Sequence, residues 1–243
     1  MASKSADIKR SGLGRSLSVS LAGLRAGGAF ALDGAIARLR GDGQTGLDSP
    51  FARREARRFV RELGRLKGTY VKIGQMLALL GEHFLPPVLT EALHELESQT
   101  QPLPFKAIEP QLRAALGNAL EELSIEHEAI AAASLAQVHR ATVKATGEQI
   151  CLKVQYPGLA GVIDADFDAV VRMLLLARWI KAGRDLDDWL TSMREQLHNE
   201  IDYAREAAMG DRVEALLADS ADALTDRGIR YHVPRRYAQY CAD

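Results

Sequence analysis

The heptapeptide QICLKVQ, Gln149 to Gln155, alternates strictly between polar and apolar side chains, and it limits the possible folds more than any other stretch. In an extended strand Ile150, Leu152 and Val154 share one face, while Cys151, Lys153 and Gln155 share the other. A face that regular belongs on a core, which leaves Lys153 at mid-strand on the opposite side. Just upstream, Ala145-Thr146-Gly147-Glu148 supplies a glycine where a hairpin turn needs positive φ. Leu135 to Val143 can pair across that turn. The region from Ile125 to Gly158 therefore reads as a small antiparallel meander. Within it, Ala131-Ala132-Ala133-Ser134 forms a loop with almost no side-chain bulk. Such a loop lets a ligand approach backbone N–H groups closely. A tightly packed turn beside a surface lysine fits the same residues equally well.

Elsewhere the periodicity is helical. Leu17, Leu21, Leu24, Leu32, Ile36 and Leu39 keep helical spacing, and Gly23, Gly27, Ala31 and Ala35 recur every fourth residue. That strip suits close helix packing, on the parent domain, in a homodimer or on a membrane surface. Gly41 to Gly46 reads as a linker. Ser49-Pro50 looks like a helix start, followed by a stripe of Phe59, Leu63, Leu66, Tyr70, Leu77 and Leu80. Gly64, Gly68 and Gly74 inside this run each cost about 1 kcal/mol relative to alanine in a helix interior. Close approach of another element is the expected reason. Val88 to Glu97 and a segment around Ile108, Leu112 and Leu116 are further helices. Beyond the meander, Leu159 to Ala182 and Leu186 to Ala218 read as two long helices, and Gly228 to Tyr240 as a strand. Asp202 and Glu206 lie four apart, where two carboxylates repel unless a cation sits between them.

Charge is uneven. Fifteen Lys/Arg stand against six Asp/Glu in residues 1–80, and two against nine in residues 81–130. Internal pairing or a basic surface near phosphate or anionic lipid follows. Arg53, Arg54, Arg57, Arg58, Arg61 and Arg65 coat one helix, but thin aromatic interleaving and the lack of a reading-helix motif argue against nucleic acid. Two cysteines give no disulfide framework, and His94-Glu95 lacks the second histidine of a zinc signature, so no metal site is expected. No apolar run approaches the roughly 18–20 residues of a membrane span. The expected location is cytoplasmic, with peripheral attachment at the inner membrane as the alternative.

Three separated motifs converge. KIGQ spans Lys72 to Gln75; AAASLAQVHRA spans Ala131 to Ala141 and is followed by CLKVQYPG; EIDYAREAAM spans Glu200 to Met209. In combination and order they resemble the UbiB/ADCK family of atypical kinase-like proteins, from about Arg54 onward. The resemblance implies an α+β fold: a protein-kinase-like N-lobe, a small antiparallel sheet plus a long helix, with an all-helical N-terminal extension. Its expected divisions are a basic tail and helix over 1–46, a helical KxGQ extension over 47–120, and the lobe over 121–243 with a helical insert at 159–183. By that likeness Ala131, Ala132, Ala133 and Ser134 lie over the phosphates of ATP or ADP, and Lys153 holds them. Glu206 is the expected partner of Lys153. Lys72, Gly74 and Gln75 cross the cleft, with Lys72 near Glu200 of the Glu200/Asp202 pair. Ala136 departs from the pattern, which has glycine there. The likeness also implies an ATPase or small-molecule kinase linked to ubiquinone biosynthesis. Phosphoryl transfer further needs a catalytic Asp and an Asp and Asn to hold Mg²⁺. In the family these come from a C-lobe of on the order of 150 residues, so that lobe, or a partner chain carrying it, is expected to be missing here. The 243 residues alone are expected to show no ATP turnover. A surface near Tyr237 and Tyr240 is expected to be left exposed. The competing reading is a non-catalytic helical module that binds a membrane surface or a partner protein.

Overall fold

Two sets of buried side chains build two cores, one entirely helical and one between a sheet and a helix. The computed structural model describes residues 50–66, 68–81, 83–98, 101–177, 179–180, 184–219 and 231–242. The Leu17–Leu39 stripe, the small-residue strip and the Gly41–Gly46 linker lie outside them.

Helix α1 (Pro50–Leu66) buries Ala52, Ala56, Phe59, Val60 and Leu63 along one stripe, and the six arginines point to solvent. The run expected to continue to Leu80 instead breaks at Gly68, whose φ of 58° stops the helix. Helix α2 (Thr69–Leu80) then starts afresh, and Leu80, placed in the stripe by its spacing, is 49% exposed. Helix α3 (Pro87–Leu93) opens with proline at its first position, and a 3-10 turn, His94–Ser98, continues it. Leu89, Leu93 and Leu96 all face inward as their spacing requires. This packing explains Gly74: a Cβ there would sit 2.3 Å from Leu96 Cδ1. Helices α5 (Ile163–Leu176) and α6 (Arg184–Asn199) complete the helical core with Phe167, Val170, Met173, Leu174, Met193 and Leu197. Helix α4 (Phe105–Leu116) belongs to the second core.

The sheet is antiparallel in the order β1 (Leu123–Ala132), β2 (Ala136–Val143), β3 (Gln149–Gln155). Gly147 turns the β2–β3 hairpin at φ 73°, with its N–H bonded to Val143 O at 2.8 Å. Ile150, Leu152 and Val154 are buried against Ile108 and Leu112 of α4, as the alternation requires, and Cys151 and Lys153 stay exposed.

Three expected elements differ. Helix α5 is shorter than the expected Leu159–Ala182: residues 159–162 form a turn, with the Val162 N–H on Leu159 O at 3.0 Å, and the helix ends at Leu176. The expected Leu186–Ala218 helix is two: α6 ends at Asn199, and α7 (Tyr203–Asp219) begins after a turn. No strand forms over residues 231–240; a 3-10 turn, Ala238–Tyr240, ends the described part. Tyr240 is not left exposed there. It is buried in the second core and donates to Glu122 Oε2 at 2.9 Å.

Between α5 and α6, Arg194 Nη1 meets Asp164 Oδ1 at 2.7 Å and Nη2 meets Asp168 Oδ1 at 2.5 Å, while His198 Nε2 lies 3.1 Å from Asp164. The hydrogen bond from Arg194, then that from His198, holds the Asp164 carboxyl below its ordinary value. A depressed carboxyl stabilises the fold above its unfolded value, near 3.9, and loses that contribution as pH falls through the folded one. Asp164 is 54% exposed, so solvent screening limits the gain to about 1 kcal/mol or less. Urea denaturation of wild type and Asp164→Asn is expected to differ by that amount at neutral pH and to converge only as the pH falls through the lowered Asp164 value. A gap that persists at low pH would contradict this.

Candidate functional site

A cavity of about 360 Å³ lies between the two cores. Helix α2 contributes Lys72 and Gln75, the β1–β2 loop with the strand ends that flank it contributes Ala132 to Ala136, β3 contributes Lys153, the α6–α7 turn contributes Glu200, and the first residue of α7 contributes Tyr203. Residues far apart in sequence meet here for local reasons. Lys153 stands on the outer face of β3 because its neighbours are claimed by the core. Lys72 sits on α2 between buried Val71 and Ile73, with its own side chain only 20% exposed.

Two ion pairs define the electrostatics. Lys72 Nζ lies 2.7 Å from Glu200 Oε1. Lys153 Nζ donates to a carboxylate oxygen of Glu206 on α7, and it also stands 4.7 Å above the Tyr203 ring centroid. The four charges cancel pairwise, and each carboxylate orients its lysine. Both residues of the Lys153–Glu206 pair are about half exposed. Such a pair contributes at most about 1 kcal/mol to stability; its value is positional.

The loop is held from below. Tyr156 donates its hydroxyl to Ala133 O at 3.1 Å and its N–H to Leu135 O at 2.9 Å. Ala133 N–H bonds Ala136 O at 2.7 Å, which closes the turn. Burial pushes the Tyr156 hydroxyl up to about 12. Burial, then the Glu206 and Tyr156 charges, push Tyr203 up as well. Both phenols therefore stay protonated.

The α6–α7 break gives the site its shape. Asp202 Oδ1 accepts the N–H of Arg205 at 2.8 Å and so caps α7. Gln155 Nε2 donates to Ile201 O at 3.0 Å, which ties the turn to β3. Glu200 is thereby aimed at Lys72, and Glu206 falls one turn into the new helix.

Of the residues singled out from sequence, Lys72, Gln75, Ala132, Ala133, Ser134, Lys153 and Glu200 line the cavity, and Glu206 touches it through Lys153. Three more do not line it either. Ala131 belongs to β1, paired with Val138. Gly74 faces Leu96 in the helical core. Asp202 is a helix cap, so no cation is needed between it and Glu206. Sequence reasoning missed Tyr203, Leu135 and the pinning role of Tyr156. The signal for Tyr203 was available: an Asp with cap chemistry at 202 predicts a helix beginning at 203.

A family model described as the ABC1 atypical kinase-like domain matches residues 95–243. Among curated proteins the chain is similar to the mitochondrial atypical kinase coq-8 of Caenorhabditis elegans, 35% identical over 170 residues, 69% of this chain and 22% of that protein. It is 30% identical over 188 residues to the mitochondrial atypical kinase COQ8 of Saccharomyces cerevisiae, 76% of this chain and 36% of that one. It is 31% identical over 174 residues to the mitochondrial atypical kinase COQ8B of Rattus norvegicus, 70% of this chain and 33% of that one. The chain thus spans at most 36% of the length of these relatives.

Proposed function

The chain belongs to the ABC1 atypical kinase-like family, and on that premise we propose that the cavity binds ADP or ATP, with the phosphates on Lys153 beneath the loop Ala132–Ala136. One observation carries this reading: a strand lysine is held by a helix carboxylate under a loop of very small residues. The volume lies within the roughly 300–1,000 Å³ of small-molecule sites. A cation facing close-set backbone suits phosphate, whose oxygens accept from both. Glu200 keeps Lys72 against the cavity mouth, so the helical extension closes the side opposite the loop. The cavity lining holds no aspartate among the described residues. We therefore assign the acid–base and Mg²⁺-holding groups of phosphoryl transfer to a further lobe or a partner chain. The biological setting proposed is ubiquinone biosynthesis.

Calorimetric titration with ADP is expected to give one site per chain, displaced by ATP. Absence of heat and of any thermal protection at millimolar nucleotide would refute the assignment. The six exposed arginines of α1 favour a second reading, a surface for anionic lipid or an acidic partner. No helix among the described residues is long and apolar enough to cross a membrane.

A further inference from the structure

Gln137 follows Ala136 at the foot of the loop and is fully buried. Its Oε1 accepts the Leu103 N–H at 2.7 Å, and its Nε2 donates to Leu103 O at 3.1 Å. The side-chain amide thus pairs with one backbone peptide unit as a neighbouring strand would. Nε2 also lies 2.8 Å from His139 Nε2, and His139 Nδ1 lies 2.8 Å from Glu126 O. The donors and acceptors fit in one arrangement only. Gln137 donates to His139 Nε2, so the His139 proton is on Nδ1 and is given to Glu126 O. Flipping the amide would set its NH₂ against the Leu103 N–H. Glu126 falls where the β1 register slips between Ile125 and Ala129, and the imidazole supplies its carbonyl with a donor.

Position gives this relay its consequence. Gln137 pairs with Ala132 on one side, the pair that closes the loop, and with Val154 of β3 on the other. Leu103 lies in Gln101–Pro104, the irregular segment leading from the helical core to α4. Phe105, two residues on, stacks on His127 of the same β1 irregularity, with centroids 4.1 Å apart and planes 9° apart. Breaking the amide pair would leave buried donors and acceptors unmet, which costs more than a net hydrogen bond.

We infer that Gln137 is a positioning residue that couples the 101–104 segment to the loop and fixes the loop's height above Lys153. The inference rests on reading the cavity as a nucleotide site. Segment and loop then open together as one unit.

Amide hydrogen exchange on the nucleotide-free chain tests this. In wild type the Leu103 N–H and the two amides that close the loop, Ala133 N–H on Ala136 O and Tyr156 N–H on Leu135 O, open with protection factors equal within about threefold. In Gln137→Met the loop amides exchange at least about tenfold faster, and Ile150, Leu152 and Val154 are unchanged. The dissociation constant for ADP rises about tenfold in the same variant, the equivalent of one lost interaction of this class. A folded Gln137→Met with unchanged loop exchange overturns the inference, and so does uniform acceleration across the sheet, which marks Gln137 as ordinary packing. If that variant does not fold, the wild-type comparison decides: an unprotected Leu103 N–H overturns the coupling. Failure of wild type to bind ADP would remove the nucleotide assignment, while the exchange data would still decide the coupling.

Discussion

Lys153→Ala is expected to abolish nucleotide-induced thermal stabilisation and leave a folded protein. A ligand at one hundred times its dissociation constant stabilises the native state by about 2.7 kcal/mol. For a chain of this size that corresponds to a rise of roughly 5–10 °C in melting temperature. Alanine removes the cation, and it also leaves Glu206 unpaired beside the incoming phosphates. An affinity loss of about a hundredfold brings the stabilisation at the same ADP concentration down to about 0.4 kcal/mol. The ligand-free variant should melt within about 1 kcal/mol of wild type, because the pair is half exposed. Arg65→Ala, which alters only an exposed i,i+3 pair with Glu62, serves as control and should respond to ADP as wild type does. Equal protection of Lys153→Ala and wild type would remove Lys153 from the site.

Gly74→Leu is expected to lower stability by about 3 kcal/mol, at the upper end of overpacking penalties. A single Cβ already meets Leu96 Cδ1 at 2.3 Å, with Leu93 and Leu63 at 3.5 and 3.6 Å behind it. Leu96 is 2% exposed, so turning its terminal methyl can clear a lone Cβ but not a whole isobutyl group. Gly74→Ala is a milder case. The end of the Leu96 side chain can rotate away, and the better helix propensity of alanine returns about 1 kcal/mol. Urea midpoints should rank glycine and alanine together and leucine far below. Leucine tolerated within about 0.5 kcal/mol would mean the helix contact is looser than described. Gly74 lies between Lys72 and Gln75, so a displaced α2 would also shift both side chains at the cavity mouth.

The parts of this fold that were legible were those written in local alternation. The period-2 pattern of Gln149 to Gln155 placed Lys153 on the outer face, and Gly147 placed the hairpin. The spacing of Leu89, Leu93 and Leu96 identified their buried face. Three glycines in one helical run foretold a close approach, which occurs at Gly74, whereas Gly68 proved to be a helix break. The pairings Lys72–Glu200 and Lys153–Glu206 could not come from periodicity, since the partners are 128 and 53 positions apart; resemblance supplied them. The break at Glu200–Asp202 left one local mark, the cap-competent Asp202, and was otherwise hidden for a different reason. It contains neither proline nor glycine, and its polar stripe runs on without a gap. It exists because Gln155 takes the Ile201 carbonyl from another element and Asp202 caps the next helix. The Gln137–Leu103 pairing was equally hidden, as a side-chain amide bonded across 34 positions leaves no pattern.

Ile201 packs against both cores. Its two neighbours in the chain look in different directions, Glu200 toward α2 and Asp202 into α7. A displacement of one half of the molecule relative to the other therefore bends the backbone at this isoleucine, and the gap between Lys72 and Lys153 widens or narrows with it. The turn thus stands where the pin stands in a caliper whose jaws are the two lysines, and its backbone sets how far the jaws stand apart.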